Sequence, residues 1–207
     1  MCSISMKKVF FLLVLLLLLS GINCSVYETM INLSRLQFKL GDVNNFNVSG
    51  ITISNKSKLE DFGAIDILKL SSMFASGKLP VSFILNVEAR NPNDGTGGYP
   101  KTNATIKSFP WHLQIDGKET IAGNIGSPVS VPGTGDISLI PIQIELDLMQ
   151  FLENQSYESI MNIVLALGGQ AGSAARLTLF ADPTVTTALG DVNYPGELKI
   201  VDYKFSN

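Results

Sequence analysis

The sequence predicts a mainly-β fold, a β-sandwich of short strands decorated by two short helices. Three observations lead to this prediction. Apolar and polar residues alternate in several segments, which is the period of a strand with one buried face. Gly, Pro, Asn and Asp, which favour turns, separate these segments. Helical spacing of apolar residues is found in residues 64–74 and 149–168. Together these patterns are typical of a sandwich.

The central strand is predicted between Gly77 and Asn93. Its alternating apolar side chains are Val81, Phe83, Leu85, Val87 and Ala89. The segment Asn91-Pro92-Asn93 ends the strand, because proline has no N–H to donate and asparagine accepts turn conformations. We therefore expect Phe83 and Leu85 to be buried, and we interpret Asn91, Pro92 and Asn93 as a structural turn.

Two strands and a helix are predicted before this central strand. The first strand lies within residues 31–40 and is closed by Gly41-Asp42. The second covers residues 46–54, with a bulge at Gly50. A short amphipathic helix follows over residues 64–74, and Gly77 ends it.

A hairpin, a helical region and further strands are predicted after it. Asp116-Gly117 is typical of a hairpin turn and joins strands predicted at 102–116 and 118–125. Residues 127–135 are rich in Pro and Gly and are predicted to form an exposed connection. Pro141 marks an edge strand or a bulge within the strand at 136–148. The helical region at 149–168 is followed by strands at 174–181 and 198–205.

The first residues have the layout of a secretory signal peptide. Lys7 and Lys8 precede an apolar run from Val9 to Leu19, and small residues follow it. The run is shorter than the roughly 20 apolar residues that a membrane-spanning helix needs. The predicted organisation is a signal peptide at 1–23, a tether at 24–30 and a single domain at 31–207.

Cys24 lies just after the apolar run and, apart from Cys2, is the only cysteine. Its position resembles the lipid-attachment site of bacterial lipoproteins, although Gly21 and Asn23 depart from the usual residues before that cysteine. The alternative is ordinary cleavage nearby, which leaves a free thiol. The resemblance predicts lipid attachment at Cys24, which would anchor the protein to the bacterial outer membrane on its periplasmic or outer face.

Charge and residue content exclude several classes of function. The chain has a net charge of −3, and removal of a leader with two lysines and no acids brings it to −5. Without a basic cluster, nucleic acid is not an expected partner. His112 is the single histidine, so a His/Cys zinc site cannot be assembled. No G-x-S-x-G motif supplies a nucleophile.

The remaining candidates for chemistry are carboxylates and amides. The pairs Glu60-Asp61 and Glu145/Asp147 are interpreted as solvated charges, although paired carboxylates serve in acid–base catalysis. Asn91, Asn93 and Asp94 offer oxygens of the kind that calcium takes, while a turn held by asparagine side chains is the alternative that we favour. We therefore predict no enzymatic activity, no cofactor and no metal.

The order of motifs resembles a known family. The strand G-K-L-P-V-S-F-I-L-N-V-E-A-R runs into Asn91-Pro92-Asn93, and the hairpin segment W-H-L-Q-I-D-G-K (111–118) follows. V-P-G-T-G (131–135) and I-P-I-Q-I-E-L (140–146) come next. This succession, over about residues 33–148 with a weaker echo at 194–205, resembles the late-embryogenesis-abundant type-2 family. That family is also called the water-stress and hypersensitive-response (WHy) domain, and its bacterial members include desiccation-related lipoproteins.

The resemblance implies a seven-stranded Greek-key sandwich of immunoglobulin or fibronectin type III shape, non-enzymatic and associated with stress protection. The glycine-rich insert after Asn93 and the helix at 158–167 depart from the family. We expect an envelope lipoprotein that acts as a structural, stress-protective or protein-interaction module, with an envelope protein as partner. The alternative is a carrier that binds a small apolar ligand or lipid between sheet and helix, through the apolar residues of 160–167.

Overall fold

The computed structural model of the chain describes residues 26–53, 56, 59–152, 155–168 and 177–201. The predicted signal peptide and Cys24 lie outside them. The strands are β1 (Gln37–Val48), β2 (Ile51–Thr52), β3 (Pro80–Arg90), β4 (Ala104–Ser108), β5 (Trp111–Ile115), β6 (Lys118–Gly123), β7 (Val129–Val131), β8 (Ile137–Asp147), β9 (Leu177–Ala181), β10 (Thr184–Thr187), β11 (Gly190–Asn193) and β12 (Leu198–Ile200). The helices are α1 (26–34), α2 (Ala64–Ala75), α3 (Leu148–Phe151) and α4 (Tyr157–Gly168), with a 3₁₀ turn at Leu59–Asp61.

The first sheet has the order β2-β1-β3-β8, with every neighbouring pair antiparallel. β3 lies inside it, and burial alternates along the whole strand. Phe83 and Leu85 are 2% and 0% exposed, so the predicted central strand and its buried face are confirmed. β8 is an edge strand, and Pro141 faces Asn86 without a break in register. The prediction that Pro141 marks an edge is therefore confirmed.

The other two sheets have the orders β11-β10-β4-β7 and β12-β9-β5-β6. Three strands of one sheet continue directly into three strands of the other, with breaks at Pro110, Pro183 and Pro195. The Asp182 N–H donates to the Pro110 carbonyl at 2.9 Å, and the Tyr194 N–H donates to the Pro183 carbonyl at 2.8 Å. Because proline has no N–H, regular pairing stops along one line across neighbouring strands. The two sheets are thus the two halves of one bent layer.

The buried faces of these layers share one apolar core. Phe38 of β1 contacts Phe109, which lies between β4 and β5, at a ring-centroid distance of 5.9 Å. Phe46 stacks on Phe83 within the first sheet at 5.2 Å. Helix α4 packs against β1. The α4 side chains buried in this core are Ile160, Met161, Ile163, Val164 and Leu167. The predicted mainly-β sandwich is confirmed.

The predicted number of elements is wrong. About seven strands and two helices are predicted, and the described residues form twelve strands and four α-helices. Part of the excess comes from the proline breaks, which divide three long strands into six. The rest comes from very short strands in polar segments. One of these is β7, which pairs with β4 inside the segment 127–135 that is predicted to be an exposed connection.

The N-terminal part of the domain also differs from the prediction. Residues 26–34 are helical, so the predicted boundary between tether and domain at residues 30 and 31 falls inside α1. The first strand begins at Gln37 and continues through Gly41-Asp42, where a stop is predicted. Between Leu40 and Val43 the pairing of β1 with β3 shifts in register, as it does at a β-bulge. The strand can therefore continue past Gly41-Asp42. Gly50, predicted to be a bulge, lies in the turn between β1 and β2 with a φ of 85°.

Both predicted helical regions are present, with changes. Helix α2 ends as predicted at Gly77, whose φ is 69°. Only Leu70 of this helix is buried, while Ile65 and Leu68 are 82% and 73% exposed. The region 149–168 forms two helices, α3 and α4, and Asp147 caps the first by accepting from the Met149 N–H. Among the residues described, no helix combines the length and the apolar content needed to cross a membrane.

Candidate functional site

Asn91 lies at the end of β3, with 0% of its surface exposed. Its Nδ2 donates to the Thr102 carbonyl at 2.8 Å and to the Val131 carbonyl at 3.0 Å. Its own carbonyl accepts from the Gly135 N–H at 3.0 Å. Asn91 therefore connects the end of the central strand with three places in the chain. These are the segment before β4, the last residue of β7 and the segment that follows β7.

Asn93 is 2% exposed and connects the same turn to the N-terminal helix. Its backbone N–H donates to Asn91 Oδ1 at 3.1 Å, and its Nδ2 donates to the Asn32 carbonyl of α1 at 2.8 Å. Its carbonyl accepts from the Thr102 N–H at 3.0 Å. The side-chain Oδ1 is buried and accepts no hydrogen bond. We name this group, Asn91-Pro92-Asn93 with its bonded neighbours, the NPN junction.

Gly133 allows another segment to approach the NPN junction closely. A Cβ at this position would lie 2.4 Å from the Asn93 carbonyl oxygen and 2.5 Å from the Thr102 carbonyl oxygen. Both contacts involve backbone atoms, which cannot rotate away as a side chain can. A side chain at residue 133 is therefore incompatible with this packing. In the sequence, the pair Pro132-Gly133 indicates only a turn and does not indicate this close contact.

Asp94, the third residue considered for calcium, has a different environment from the two asparagines. It is exposed, and its Oδ1 accepts from the Thr96 N–H and hydroxyl at 2.9 and 2.6 Å. The hydrogen bond from the Thr96 hydroxyl is the main reason that the pKa of Asp94 is lowered. Within the described ranges, no group of three His, Cys, Asp or Glu side chains is arranged to hold a metal.

A cavity of about 170 Å³ adjoins the NPN junction. Asn32 and Asn93, both buried, form part of its wall, and Leu33, Leu36 and Val185 give it apolar surface. The described residues that line it are Glu28, Thr29, Asn32, Leu33, Leu36, Asn91, Asn93, Pro100, Thr102, Asn103, Ala104, Val185, Thr186, Thr187 and Ala188. Sequence reasoning missed this cavity because residues 26–34 are predicted as tether and strand. The helical spacing of Thr29, Asn32 and Leu33 was the available signal.

His112 belongs to a separate group on the outer face of β5. Its Nδ1 lies 2.9 Å from Glu119 Oε2, and its Nε2 lies 3.1 Å from Glu197 Oε1. Its ring stacks on Phe180 at a centroid distance of 4.7 Å. The hydrogen bond with Glu119 is the largest cause of a raised His112 pKa. Because both ring nitrogens face carboxylates, this arrangement favours the charged imidazolium and is unsuited to a general base.

Of the pair Glu145/Asp147, interpreted from the sequence as solvated charges, Asp147 instead bonds two backbone groups. Asp147 Oδ1 accepts from the Leu79 N–H at 2.7 Å and from the Met149 N–H at 3.1 Å. It therefore joins the start of β3 to the first turn of α3. Glu145 accepts from the Gln143 side chain at 3.2 Å and remains exposed.

Comparison with known proteins leaves the family open. Neither a protein-family description nor a curated protein matches the chain. One similar solved structure is target SoR45 of the Northeast Structural Genomics Consortium, which is 9% identical over 83% of this chain and 89% of that chain, with a TM-score of 0.37. Another is a protein from Archaeoglobus fulgidus, which is 12% identical over 81% of this chain and 100% of that chain, with a TM-score of 0.33. At these scores neither likeness bears on function.

Proposed function

We propose that this protein is a non-enzymatic, lipid-anchored module of the bacterial cell envelope. The lipid anchor is proposed from the apolar run followed by Cys24, and the observation that supports a non-enzymatic role is how the buried polar side chains are used. Asn91 and Asn93 lie in the interior, and the Nδ2 group of each donates to backbone carbonyls of its own chain. A catalytic site needs polar groups directed at a substrate, whereas these groups hold segments of the fold together.

We also propose that the chain belongs to the late-embryogenesis-abundant type-2 family, with the Greek-key, immunoglobulin-like topology that this family implies. Three observations support membership. The motif Asn91-Pro92-Asn93 ends the central strand, Trp111–Lys118 contains the turn of the β5–β6 hairpin, and Ile140–Leu146 lies beside β3. A stress-protective or protein-interaction role follows from membership. The exposed Ile65 and Leu68 of α2 supply apolar surface for an envelope protein partner.

If Cys24 carries lipid, the domain would lie close to the membrane, because little chain separates Cys24 from α1. The helix is described from residue 26, two residues after the cysteine. Two extended residues span at most about 7 Å, so residue 26 would lie beside the lipid headgroups. Val26, Tyr27 and Met30 are 46%, 67% and 38% exposed and would lie in the interface, where a residue such as tyrosine is favoured. The domain would then rest on the bilayer.

Replacement of Cys24 tests the anchor. In the native host, Cys24→Ala should move the protein from the membrane fraction to the soluble fraction of the same compartment, with an unchanged melting temperature. Cys2→Ala is the matched control, because it removes the other cysteine from within the predicted leader. Retention of Cys24→Ala in the membrane fraction, or equal release of Cys2→Ala, would contradict lipid attachment at Cys24.

The module is favoured over a carrier that uses α4. Ile160, Val164 and Leu167, whose apolar character motivated the carrier, are 0% exposed and belong to the common core. A ligand between α4 and the sheet would have to displace this packing, which costs about 2–5 kcal/mol for each large side chain removed from its contacts.

A further inference from the structure

We propose that the exposed face of helix α2 binds a second copy of this chain, with the two helices antiparallel across a twofold axis. This inference deepens the interaction role proposed for α2 and rests on it, because it names the partner that the helix takes. It does not rest on lipid attachment, since α1 and α2 lie at opposite ends of β3. α1 is bonded to the NPN junction at the end of that strand, whereas α2 precedes its first residue, Pro80.

Four residues of α2 lie along one line on its exposed face. They are Ile65, Leu68, Ser72 and Ala75, at the spacing of three and four residues that keeps side chains on one side of a helix. Ile65 and Leu68 are 82% and 73% exposed, while Leu70, on the opposite side of the helix, is buried in the core. The helix therefore presents an apolar stripe that no described part of its own domain covers.

The sizes of these side chains make the stripe self-complementary in the antiparallel orientation. The large residues lie in the first half of α2 and the small ones in the second half. A twofold axis that crosses the stripe between Leu68 and Ser72 places Leu68 against Ser72 of the second copy. The same axis places Ile65 against Ala75 of the second copy, so that each large side chain meets a small one. A parallel pair would instead place large residues against each other and leave gaps between the small ones.

Charge favours the same orientation. Residues 56–66, at the start of α2, include three acids and two lysines, whereas residues 67–78 include two lysines and no acid. Asp147 also lies near the end of α2, but its carboxylate accepts from two backbone N–H groups. An antiparallel pair places the net negative start of each helix beside the net positive end of the other, and it opposes the two helix dipoles. A second copy of the chain supplies this match at both ends of the helix.

The length of the stripe sets the expected strength of the contact. α2 has 12 residues, so the stripe is about 18 Å long. An interface built mainly on one short helix belongs to the small, transient class. We therefore expect a monomer–dimer equilibrium in solution rather than a permanent dimer.

Sedimentation equilibrium of the processed protein carrying Cys24→Ala tests the pairing. The parent should form dimers at protein concentrations of about 0.1–1 mM, as a weak interface does. Leu68→Glu places a charge in the apolar stripe and should raise the dissociation constant about tenfold or more. Leu139→Glu is the control, because Leu139 is an exposed leucine on β8, away from α2, and it should leave the constant unchanged. Both side chains are exposed, so melting temperatures should show that both variants fold.

Disulfide cross-linking tests the antiparallel orientation. Two single-cysteine chains, Leu68→Cys and Ser72→Cys, are made in a background that lacks both native cysteines and are mixed in equal amounts. Antiparallel pairing brings residue 68 of one chain to residue 72 of the other. The mixed disulfide should therefore form about fivefold or more faster than either disulfide between like chains. Parallel pairing predicts the reverse, since each residue would then meet its own copy.

The proposal is overturned by a parent protein that stays monomeric up to about 1 mM, since a weak interface should be populated there. It is also overturned if a folded Leu68→Glu protein dimerises like the parent, if Leu139→Glu weakens the dimer equally, or if like chains cross-link faster than unlike ones. Cell fractionation of Cys24→Ala reports on the lipid anchor alone. A failure of the pairing and a failure of the anchor are therefore distinguished.

Discussion

The side chain of Asn91 is bonded to three backbone groups at the end of β3. These are the Thr102 carbonyl, the Val131 carbonyl and the Asn93 N–H. Asn91→Ala leaves all three without a partner in a buried site and should lower the free energy of unfolding by about 2–4 kcal/mol. Asn93→Ala loses the bond to Asn32 and also removes an unpartnered oxygen, so it should cost about 0.5–2 kcal/mol. Urea unfolding measures both, and a larger loss for Asn93→Ala would contradict this assignment of roles.

Gly133 provides an independent test of the same junction. Gly133→Ala places a methyl group against two backbone carbonyls. Overpacking of this kind should lower the free energy of unfolding by about 1–3 kcal/mol. Gly126→Ala is the matched control, because a Cβ there meets no atom within 4 Å. Thermal unfolding of the two variants compares them directly. Equal melting temperatures would show that residues 131–135 do not pack closely against the NPN junction.

At the residue scale, the sequence predicts the kind of contact at the junction but not its partners. Asn91-Pro92-Asn93 is recognisable as a strand end whose side chains bond backbone groups. The partners of Asn91 lie 11 and 40 residues away, and the partner of Asn93 lies 61 residues away. Local sequence carries no information on which distant carbonyl reaches a given amide. The unpartnered Oδ1 of Asn93 follows from that same packing.

At the element scale, the prolines explain why strand number is harder to predict than strand position. Pro110, Pro183 and Pro195 each interrupt regular pairing, and their local effect is readable in the sequence. The three prolines are aligned across neighbouring strands, and this alignment bends one layer into two sheets. It depends on how strands that are distant in sequence pair with one another. The apolar residues of 26–34 present a similar problem, because a short helix and a short strand have comparable patterns there.

His112 links two elements of the third sheet in a way that depends on pH. It lies between Glu119 of β6 and Glu197, next to β12. The Lys199 Nζ lies 6.0 Å from the centroid of the Phe180 ring, and His112 stacks on this same ring. The pKa of His112 is raised above 6.5, chiefly by its hydrogen bond to Glu119. The pKa of Glu119 is lowered below 4.5, by its hydrogen bonds with Gln114 and then His112.

The signs of these shifts define the pH window. The His112 contribution is fully present below its unfolded pKa and is lost as pH rises through the raised folded pKa. The Glu119 contribution is present above its unfolded pKa and is lost as pH falls through the lowered one. The group should therefore stabilise the fold most between about pH 5 and 6. The stability difference between the parent protein and His112→Gln, from urea unfolding, should shrink from pH 5.5 to pH 8. A difference that stays constant would contradict the ion-paired arrangement.

At the scale of the whole molecule, the sandwich and its central strand are predictable because alternation and turn residues are local signals. The path of the first strand is not predictable in this way, since the register shift between Leu40 and Val43 arises in its pairing with β3, which is distant in sequence. The described part of α1 begins at residue 26, so residues 26–30, which are predicted as tether, are helical. If Cys24 carries lipid, as we propose, the domain would lie close to the membrane.

Intact mass spectrometry of the protein isolated from its native membrane tests this central claim most directly. Lipid attachment at Cys24 predicts a mature chain that begins at this residue and has additional mass from fatty acyl groups on it. A chain that begins at another residue, or one in which Cys24 has a free thiol, would contradict it.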